Sequence, residues 1–548
     1  MPTHLLSGTV LDVVNRSAFS GSVTITDGRI TGIERLRECS DPLTASGPFI
    51  LPGFVDAHVH VESSMLAPAE FGRAVATMGT LATVSDPHEI ANVLGEAGID
   101  FMHHSARSSP ISILFGVPSC VPATGFETAG AELDAEVVAR LLAEPRHGYL
   151  SELMNFPGVL NGDPEVLAKI AAAQRYNKPI DGHCPGLRGE DLQRYIDAGI
   201  TTDHEAFTFE EGLDKLQRGM YLLIREGSAA KNFEALIDLL ARFPERIMFC
   251  TDDSHPNDLL EGHINRIVKR ALDRGLALWD ILTAACVTPV RYYKLDLGLL
   301  ALGDSADLIL VESLQQMRIK QAFSAGVCVA DDGAPQTPYT DSEHPNQFVA
   351  PDLSPAQFNL SVSGKQARVI RARDGMLVTE SISLPTPRSG KRIVVDLTND
   401  LCLLTVVSRY QSAPPALALV QGFGLKHGAI ASSVAHDCHN LIAVGTSLED
   451  LIAALTLITD SRGGLAVVGP STRQVLPLPI AGLMTNSDYA TTGAQYAKLD
   501  AAARGLGSTL RAPFMTLSFM ALLVIPELKL SDRGLFDGRR FEFVKWVA

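Results

Sequence analysis

Short apolar runs that end in polar residues recur along the first half of the chain. Eight of them lie between residues 54 and 253, in the ranges 54–62, 81–89, 111–120, 148–155, 179–183, 199–205, 220–228 and 247–253. Helical spacing of apolar residues separates most of them, as in 164–175, 190–198 and 233–242. Buried strands that alternate with helices indicate βαβ units and a parallel sheet. Eight such units in about 240 residues predict an α/β fold, a (β/α)8 TIM barrel with catalytic groups at the carboxyl ends of its strands.

Segments outside this repeat predict further domains. Residues 8–50 read as short strands, and Asp27-Gly28 between two alternating runs is a strong hairpin signal. The same pattern of short strands and turns returns at 298–330, so we expect the two segments to form one small β-sandwich beside the barrel. The predicted domains are a sandwich at 1–51 and 296–331, a barrel at 52–295, a linker at 332–351, and a C-terminal α/β or α+β domain at 352–548.

Composition narrows the classes of partner. A net charge of −16 disfavours a nucleic-acid partner, which requires clustered lysine and arginine. The first residues lack a basic segment followed by a long apolar stretch, so no signal peptide is predicted. The apolar segment 514–530 is short and interrupted by charge, so no membrane span is predicted. Eight scattered cysteines without a CxxC pair indicate a reduced, cytoplasmic protein.

The first apolar run carries two histidines, His58 and His60, two positions apart. Side chains on a strand alternate between faces, so both imidazoles point the same way, about 6–7 Å apart along the backbone. Such a pair can bind one metal ion, although two histidines also occur by chance on half-buried strands. The carboxyl ends of the later strands favour a metal site over a chance pair, because they carry further histidine and carboxylate side chains.

Six residues at these strand ends form a candidate ligand set: His58, His60, Glu152, His183, His204 and Asp252. Nitrogen and oxygen donors without a thiolate set suit Zn²⁺, Mn²⁺ or Fe²⁺. Four histidines and two carboxylates exceed what one catalytic metal with an open position requires. The set fits two divalent ions bridged by a carboxylate and a hydroxide, with Glu152 as the bridge.

Further polar residues have two open interpretations each. Asp86, His88 and Glu89 end the second strand, where they contact substrate or a further ion, or only form a turn with Pro87. Glu62 orients a ligand or caps a turn. One group of further candidates either contacts the substrate or forms a salt-bridged strand end: Arg225, Glu226 and Ser228. A second group either reaches the site across the domain boundary or forms a buried polar network: His436, Asp437 and His439.

Four segments carry a resemblance that covers essentially the whole chain. Residues 52–65, with the sequence PGFVDAHVHVESSM, are similar to the start of the metal-dependent amidohydrolase superfamily. Residues 85–93, 152–159 and 431–440 resemble, more specifically, the bacterial type of adenine deaminase. This resemblance implies a barrel, a flanking sandwich and a C-terminal domain particular to that family. It also implies hydrolysis of adenine to hypoxanthine and ammonia with manganese or another divalent ion.

Two departures from neighbours in the superfamily bear on the mechanism. Many binuclear members bridge their metals with a carboxylated lysine, whereas the fourth strand here offers Glu152. Mononuclear deaminases of the superfamily carry a glutamate three residues after the fifth-strand histidine, and Gly186 stands there after His183. Asp252 thereby becomes the best candidate for the proton shuttle, followed by Glu89. The unrelated zinc deaminases use P-C-x-x-C, which this chain lacks.

The expected function is therefore hydrolytic deamination of adenine in purine metabolism, at two divalent ions, with manganese expected first and iron or zinc as alternatives. A homodimer is the expected assembly. One alternative is an amidohydrolase that cleaves a cyclic amide or deaminates another purine, since only the substrate pocket separates these reactions. A metal-binding regulator without catalysis is the other alternative, and a lost ligand would indicate it.

Overall fold

A computed structural model describes residues 3–228, 230–358 and 364–546. The predicted domain limits at residues 1 and 548, and positions 359–363 of the predicted C-terminal domain, lie outside the described residues. The chain begins with strands β1 (His4–Asp12), β2 (Ser17–Thr26), β3 (Arg29–Glu38) and β4 (Phe49–Pro52). Thr26 pairs with Arg29 across the Asp27-Gly28 loop, and both loop residues have positive φ, as the hairpin signal predicts.

Eight short parallel strands follow, with helices between them. They are β5 (Phe54–Val59), β6 (Thr80–Ser85), β7 (Ser112–Phe115), β8 (Leu150–Leu153), β9 (Ile180–Gly182), β10 (Thr202–Asp203), β11 (Tyr221–Arg225) and β12 (Ile247–Cys250). They pair in parallel as β5-β6-β7, β8-β9 and β10-β11-β12. Parallel bridges join Val117 to Leu150 and Val59 to Asp252, so the last strand of the series meets the first.

The intervening helices begin with caps that the sequence supplies. Asp163 accepts hydrogen bonds from two amides of the first turn of α6, and Pro164 occupies its first position. The helices are α1 (Pro68–Ala76), α2 (His88–Leu94), α3 (Glu96–Ala106), α4 (Ala135–Ala143), α5 (Phe156–Asn161), α6 (Pro164–Arg175), α7 (Gly189–Asp197), α8 (Phe209–Gln217), α9 (Phe233–Leu236), α10 (Pro256–Leu259), α11 (Ile264–Asp273), α12 (Leu278–Leu282) and α13 (Thr288–Tyr293). Short 3-10 turns occur at Pro42–Thr44, Val61–Ser64 and Ile237–Leu239, and a π-helical stretch at Thr283–Val287.

The chain then returns to the first sheet. Strands β13 (Leu308–Ser313), β14 (Arg318–Ser324), β15 (Val327–Asp331) and β16 (Ala334–Pro335) extend it. The sheet has eight strands in the order β16-β15-β14-β13-β4-β1-β2-β3. The two segments that flank the parallel strands in sequence are therefore joined in one sheet, because β13 pairs antiparallel with β4.

A second eight-stranded sheet forms the core of the C-terminal part. The strands in this region are β17 (Gln366–Arg371), β18 (Glu380–Pro385), β19 (Arg388–Ser389), β20 (Arg392–Ile393), β21 (Leu401–Val407), β22 (Ala416–Gln421), β23 (Ala429–Ser432), β24 (Leu441–Gly445), β25 (Gly464–Gly469) and β26 (Thr472–Pro477), and all except β19 and β20 belong to the sheet. Its order is β18-β17-β22-β21-β24-β23-β25-β26, while β19 and β20 pair separately. Apolar side chains of α14 (Leu448–Asp460), including Leu451 and Leu455, pack in the same cluster as the residues of this sheet.

The chain ends with α15 (Tyr489–Gly505), α16 (Pro513–Ser518) and a three-stranded sheet of β27 (Leu528–Ser531), β28 (Gly534–Asp537) and β29 (Glu542–Phe543). Two 3-10 turns, Pro355–Gln357 and Leu397–Asn399, complete the described elements. Over the described residues, no helix has the length and apolar character needed to cross a membrane. The architecture is α/β, as predicted, and the predicted domain limits stay predictions.

Candidate metal centre

Polar residues from five of the parallel strands converge at their carboxyl ends. His58 lies near the end of β5 and His60 follows it, while Glu152 lies in β8. His183 directly follows β9, and His204 directly follows β10. Asp252 lies two residues after the end of β12. All are buried except His183, whose side chain is 12% exposed. Because the strands are parallel, their carboxyl ends meet at one edge and bring these side chains together.

Glu152 lies between two groups of histidines. Its Oε1 is 3.2 Å from His60 Nε2 and 4.0 Å from His58 Nε2. Its Oε2 is 2.7 Å from His183 Nδ1 and 3.3 Å from His204 Nε2. One carboxylate thus presents a different oxygen to each pair of imidazoles, which is the arrangement that a bridging ligand requires.

Asp252 closes the side of the cluster nearest β5. Its Oδ1 is 3.3 Å from His60 Nε2 and 3.7 Å from His58 Nε2. Its Oδ2 accepts a hydrogen bond of 2.5 Å from Arg225 Nη1, and the same guanidinium pairs with Glu205. Arg225 therefore leaves one carboxylate oxygen of Asp252 facing the histidines.

The donor set fits a divalent cation. Both ring nitrogens of His58 are buried and lack a hydrogen-bond partner among the described residues, which is costly for a polar group. Its ring stacks on His204 at 4.2 Å between centroids. His60 Nδ1 donates to the Asp86 carbonyl at 3.1 Å, which turns Nε2 toward the carboxylates of Glu152 and Asp252. A bound cation would satisfy His58 and be coordinated by these neighbouring donors.

Electrostatics within the cluster favour anionic acids. Burial raises the pKa of Glu152, but His183 and His204 outweigh it and hold that pKa well below its ordinary range. Burial also raises the pKa of Asp252, and Arg225 together with His60 reverses that shift. Burial and the neighbouring His204 lower the pKa of His58, whereas the carboxylates raise that of His204 to about 9. Metal ions bind by displacing such protons from imidazoles.

Glu89, in the first turn of α2, faces the C-terminal part of the chain. Its Oε1 is 2.6 Å from His436 Nδ1, and its Oε2 pairs with His439 Nε2. The carboxylate raises the pKa of His436 to about 9, against the lowering effect of burial. The His436 ring stacks on Phe519 at 4.6 Å between centroids. The segment after β23 thus reaches the mouth of the parallel strands.

His88 links this group to the centre. Its Nδ1 is 3.1 Å from Asp86 Oδ2 and 3.5 Å from Glu152 Oε1. Its Nε2 is 4.0 Å from Asp437 Oδ1, and Asp437 Oδ2 is buried without a hydrogen-bond partner among the described residues. The predicted candidates from the second strand and from 436–437 therefore adjoin the six-residue cluster.

Three of the predicted site residues, Glu62, Glu226 and Ser228, contact groups outside the six-residue cluster. Glu62 Oε1 accepts from the Ile90 amide at 3.2 Å, so Glu62 anchors α2 next to the cluster. Glu226 faces Arg270 and lies 3.7 Å from Lys231. Ser228 Oγ donates to Asp258 Oδ2 at 2.5 Å. In the part of the chain that the structure describes, Glu226 and Ser228 are not brought into the cluster.

Sequence reasoning missed three nearby residues. Glu205 Oε1 is 3.5 Å from His204 Nε2 and 3.8 Å from His183 Nδ1. Asp253 accepts from Ser63 Oγ at 2.5 Å and groups with His60 and Asp252. Glu205 directly follows His204, and Asp253 directly follows Asp252. Counting every polar residue at the carboxyl end of a predicted strand would therefore have included both. Phe519 carries no local signal.

Comparison with known proteins gives two family matches. Residues 49–332 match the amidohydrolase family, and residues 376–542 match the adenine deaminase C-terminal domain. The chain is 47% identical to an adenine deaminase of Methanosarcina barkeri over 99% of both chains. It is 51% identical to one of Sulfurovum sp. over 97% of this chain and 98% of that one, and 39% identical to one of Borreliella burgdorferi over the full length of both. The chain belongs to the adenine deaminase family of amidohydrolases.

Proposed function

We propose that this chain hydrolyses adenine to hypoxanthine and ammonia at two divalent metal ions, in a closed (β/α)8 barrel formed by β5 to β12. The observation that carries the proposal is the position of Glu152, which presents Oε1 to His60 and Oε2 to His183 and His204. Family membership supplies the substrate, since the relatives are named adenine deaminase. The bridge between β12 and β5 supports the closed barrel.

The ligands divide into two groups around Glu152. His58, His60 and Asp252 would hold one ion, and His183 and His204 the other. When bound, divalent ions lower the pKa of water and so supply a hydroxide nucleophile near neutral pH. Manganese is the proposed metal, and iron and zinc suit the same nitrogen and oxygen donors.

Asp252 is the proposed proton shuttle. Replacing the amino group at C6 requires a base that takes a proton from water and an acid that gives one to the leaving nitrogen. Asp252 Oδ2 is held by Arg225, so Oδ1, which faces His58 and His60, is the oxygen that would carry the proton. Asp252 would pass the proton of the hydroxyl added at C6 to the leaving nitrogen, which departs as ammonia and leaves the C6 carbonyl of hypoxanthine. Solvent returns to the acid at N1 the proton that it gives up.

Glu89 and His436 are proposed to store a second proton, for N1 of the purine. The raised pKa of His436 keeps this imidazole charged at neutral pH, and its Nδ1 donates to Glu89 Oε1 at 2.6 Å. Adding hydroxide to C6 places negative charge on N1, and a nearby acid stabilises that charge. The C-terminal domain would thereby supply part of the chemistry.

We expect His436→Gln to lower kcat by about 10- to 100-fold, the effect of losing one charge-assisted hydrogen bond. In the parent protein, activity should fall as pH rises through about 9, because His436 then loses its proton. The variant should lack this alkaline decline, since glutamine does not titrate. The pH profile of kcat measures both effects.

The matched control is His427→Gln, because His427 is an exposed histidine of the same domain. It should keep the parent rate and profile. An unchanged pH profile in His436→Gln would remove the proton-storing role and leave His436 as a structural residue.

The direct test of function is ammonia release from a panel of purines. Apoprotein is loaded with Mn²⁺, Fe²⁺ or Zn²⁺, and ammonia release is compared for adenine, 2-aminopurine and guanine. Ring opening of cyclic amides such as dihydroorotate, which releases no ammonia, is followed on the same preparations by chromatography. We expect adenine to give hypoxanthine and ammonia in equal amounts. Hydrolysis of a cyclic amide in preference to adenine would favour the amidase alternative, and absence of all turnover would favour the regulator.

The assembly and compartment stay predictions. We propose a homodimer. The net charge of −16 disfavours a nucleic-acid partner. We propose no membrane partner, because the apolar segment 514–530 is short and interrupted by charge. We propose a cytoplasmic location because all eight cysteines are free thiols, which suits a reducing compartment.

A further inference from the structure

A cavity of about 220 Å³ lies beside the candidate metal centre and outside it. One wall comes from the loop after β11, including Ser228, and from α10, including Asn257 and Asp258. The opposite wall comes from the C-terminal part, including Asp500 of α15 and Phe519. The cavity therefore lies between the two parts of the chain, on the side where the parallel strands end.

Unpartnered hydrogen-bond acceptors line this cavity. Asp500 is 4% exposed, and its Oδ2 pairs with Arg504 at 2.6 Å. Its Oδ1 and Asn257 Oδ1 are buried and have no hydrogen-bond partner among the described residues. Buried acceptors without donors are costly, so a ligand that brings N–H groups would be stabilised there.

The charged groups of the lining add to this preference. Its carboxylates are Asp258, Asp374 and Asp500, and its cations are Lys231 and Arg511. Arg511 is paired with Asp374 at 2.8 Å, and Lys231 lies 3.7 Å from Glu226. The lining thus offers three carboxylates against two cations, each of which lies near a carboxylate, and this balance disfavours an anionic ligand.

Apolar and aromatic groups complete the lining. Met376, Leu377 and Phe519 provide surfaces on which a flat ring can pack. Phe519 stacks on His436, and His436 bonds to Glu89. Phe519 therefore separates the cavity from the Glu89–His436 pair, and His88 joins that pair to Glu152.

We propose that this cavity is a second purine-binding site, which holds adenine beside the metal centre before deamination. The inference rests on the proposed function, which supplies the ligand. The exocyclic amine and ring N–H of a purine match the unpaired oxygens of Asp500 and Asn257, and its plane matches the apolar walls. Ammonium, the other N–H donor of the reaction, occupies about the 30 Å³ of a water molecule and would leave most of the space empty.

The test uses 2-aminopurine, a fluorescent purine without a 6-amino group, titrated into the metal-loaded full chain. We expect two molecules bound per chain. Asp500→Asn should weaken one of the two sites by about 10- to 100-fold, the effect of a lost charged acceptor. Asn257→Ala should weaken the same site while the Asp500–Arg504 pair stays intact. The control is Lys498→Gln, a change at an exposed residue of α15 outside the lining, which should keep both sites.

Several outcomes would overturn the inference. These are a single bound purine in the parent chain, two unaltered sites in Asp500→Asn, or an equal loss in Lys498→Gln. Displacement of the second purine by millimolar ammonium chloride, with potassium chloride inert, would assign the cavity to the product instead. Ammonia release from adenine is measured on the same preparations. Two purine sites without deamination would support the cavity and contradict the proposed function, and one site with deamination would do the reverse.

Discussion

Glu152→Gln is expected to lose divalent metal and deaminase activity together. The amide keeps the size of the side chain but has one neutral acceptor, whereas the carboxylate faces His60 with one oxygen and His183 and His204 with the other. A neutral group is a poor bridge between two cations. Metal content after reconstitution and the rate of ammonia release should both fall to near the background of the apoprotein.

Glu136→Gln is the matched control, because Glu136 is an exposed glutamate on α4. It should bind metal and turn over adenine as the parent does. Normal metal content and rate in Glu152→Gln would show that Glu152 is structural and that another group bridges the ions.

Asp252→Asn is expected to keep much of its metal and lose turnover by about 10²–10⁴-fold, the range for a lost general acid or base. His58, His60 and Glu152 remain to hold the nearer ion, so binding suffers less than proton transfer. Asparagine still accepts from Arg225 and preserves the packing around the guanidinium. Metal content and kcat across pH, measured on one preparation, separate the two effects.

Asp253→Asn is the neighbouring control, since Asp253 accepts from Ser63 Oγ and is not held by Arg225. We expect a smaller loss of turnover there. If Asp252→Asn retains its metal and near-parent turnover, the shuttle is another acid, and Glu89 becomes the next candidate.

Local signals predicted much of the fold. The range 164–175 appears as α6 with the same limits, because Asp163 caps it, Pro164 begins it and apolar spacing continues to its end. The range 233–242 instead gives α9 and a 3-10 turn at Ile237–Leu239. Helical spacing alone does not separate these two backbone forms, since packing decides where the hydrogen-bond pattern tightens.

The candidate site was predictable where it depends on strand ends. His58, Glu152 and His204 come together because parallel strands place their carboxyl ends at one edge. The contact of Glu89 with His436 joins residues 347 positions apart, and no local pattern indicates which distant segments meet. Only tertiary packing places them together, and the same holds for Phe519 against His436.

The most direct test of a two-metal deaminase is a titration of apoprotein with Mn²⁺ while adenine turnover is followed. For a two-metal centre we expect that ammonia and hypoxanthine form in equal amounts and that the rate rises to a plateau at two ions per chain. Elemental analysis at the plateau fixes the stoichiometry. Full activity with one ion per chain would contradict the account, because Glu152 would then have no second cation to bridge.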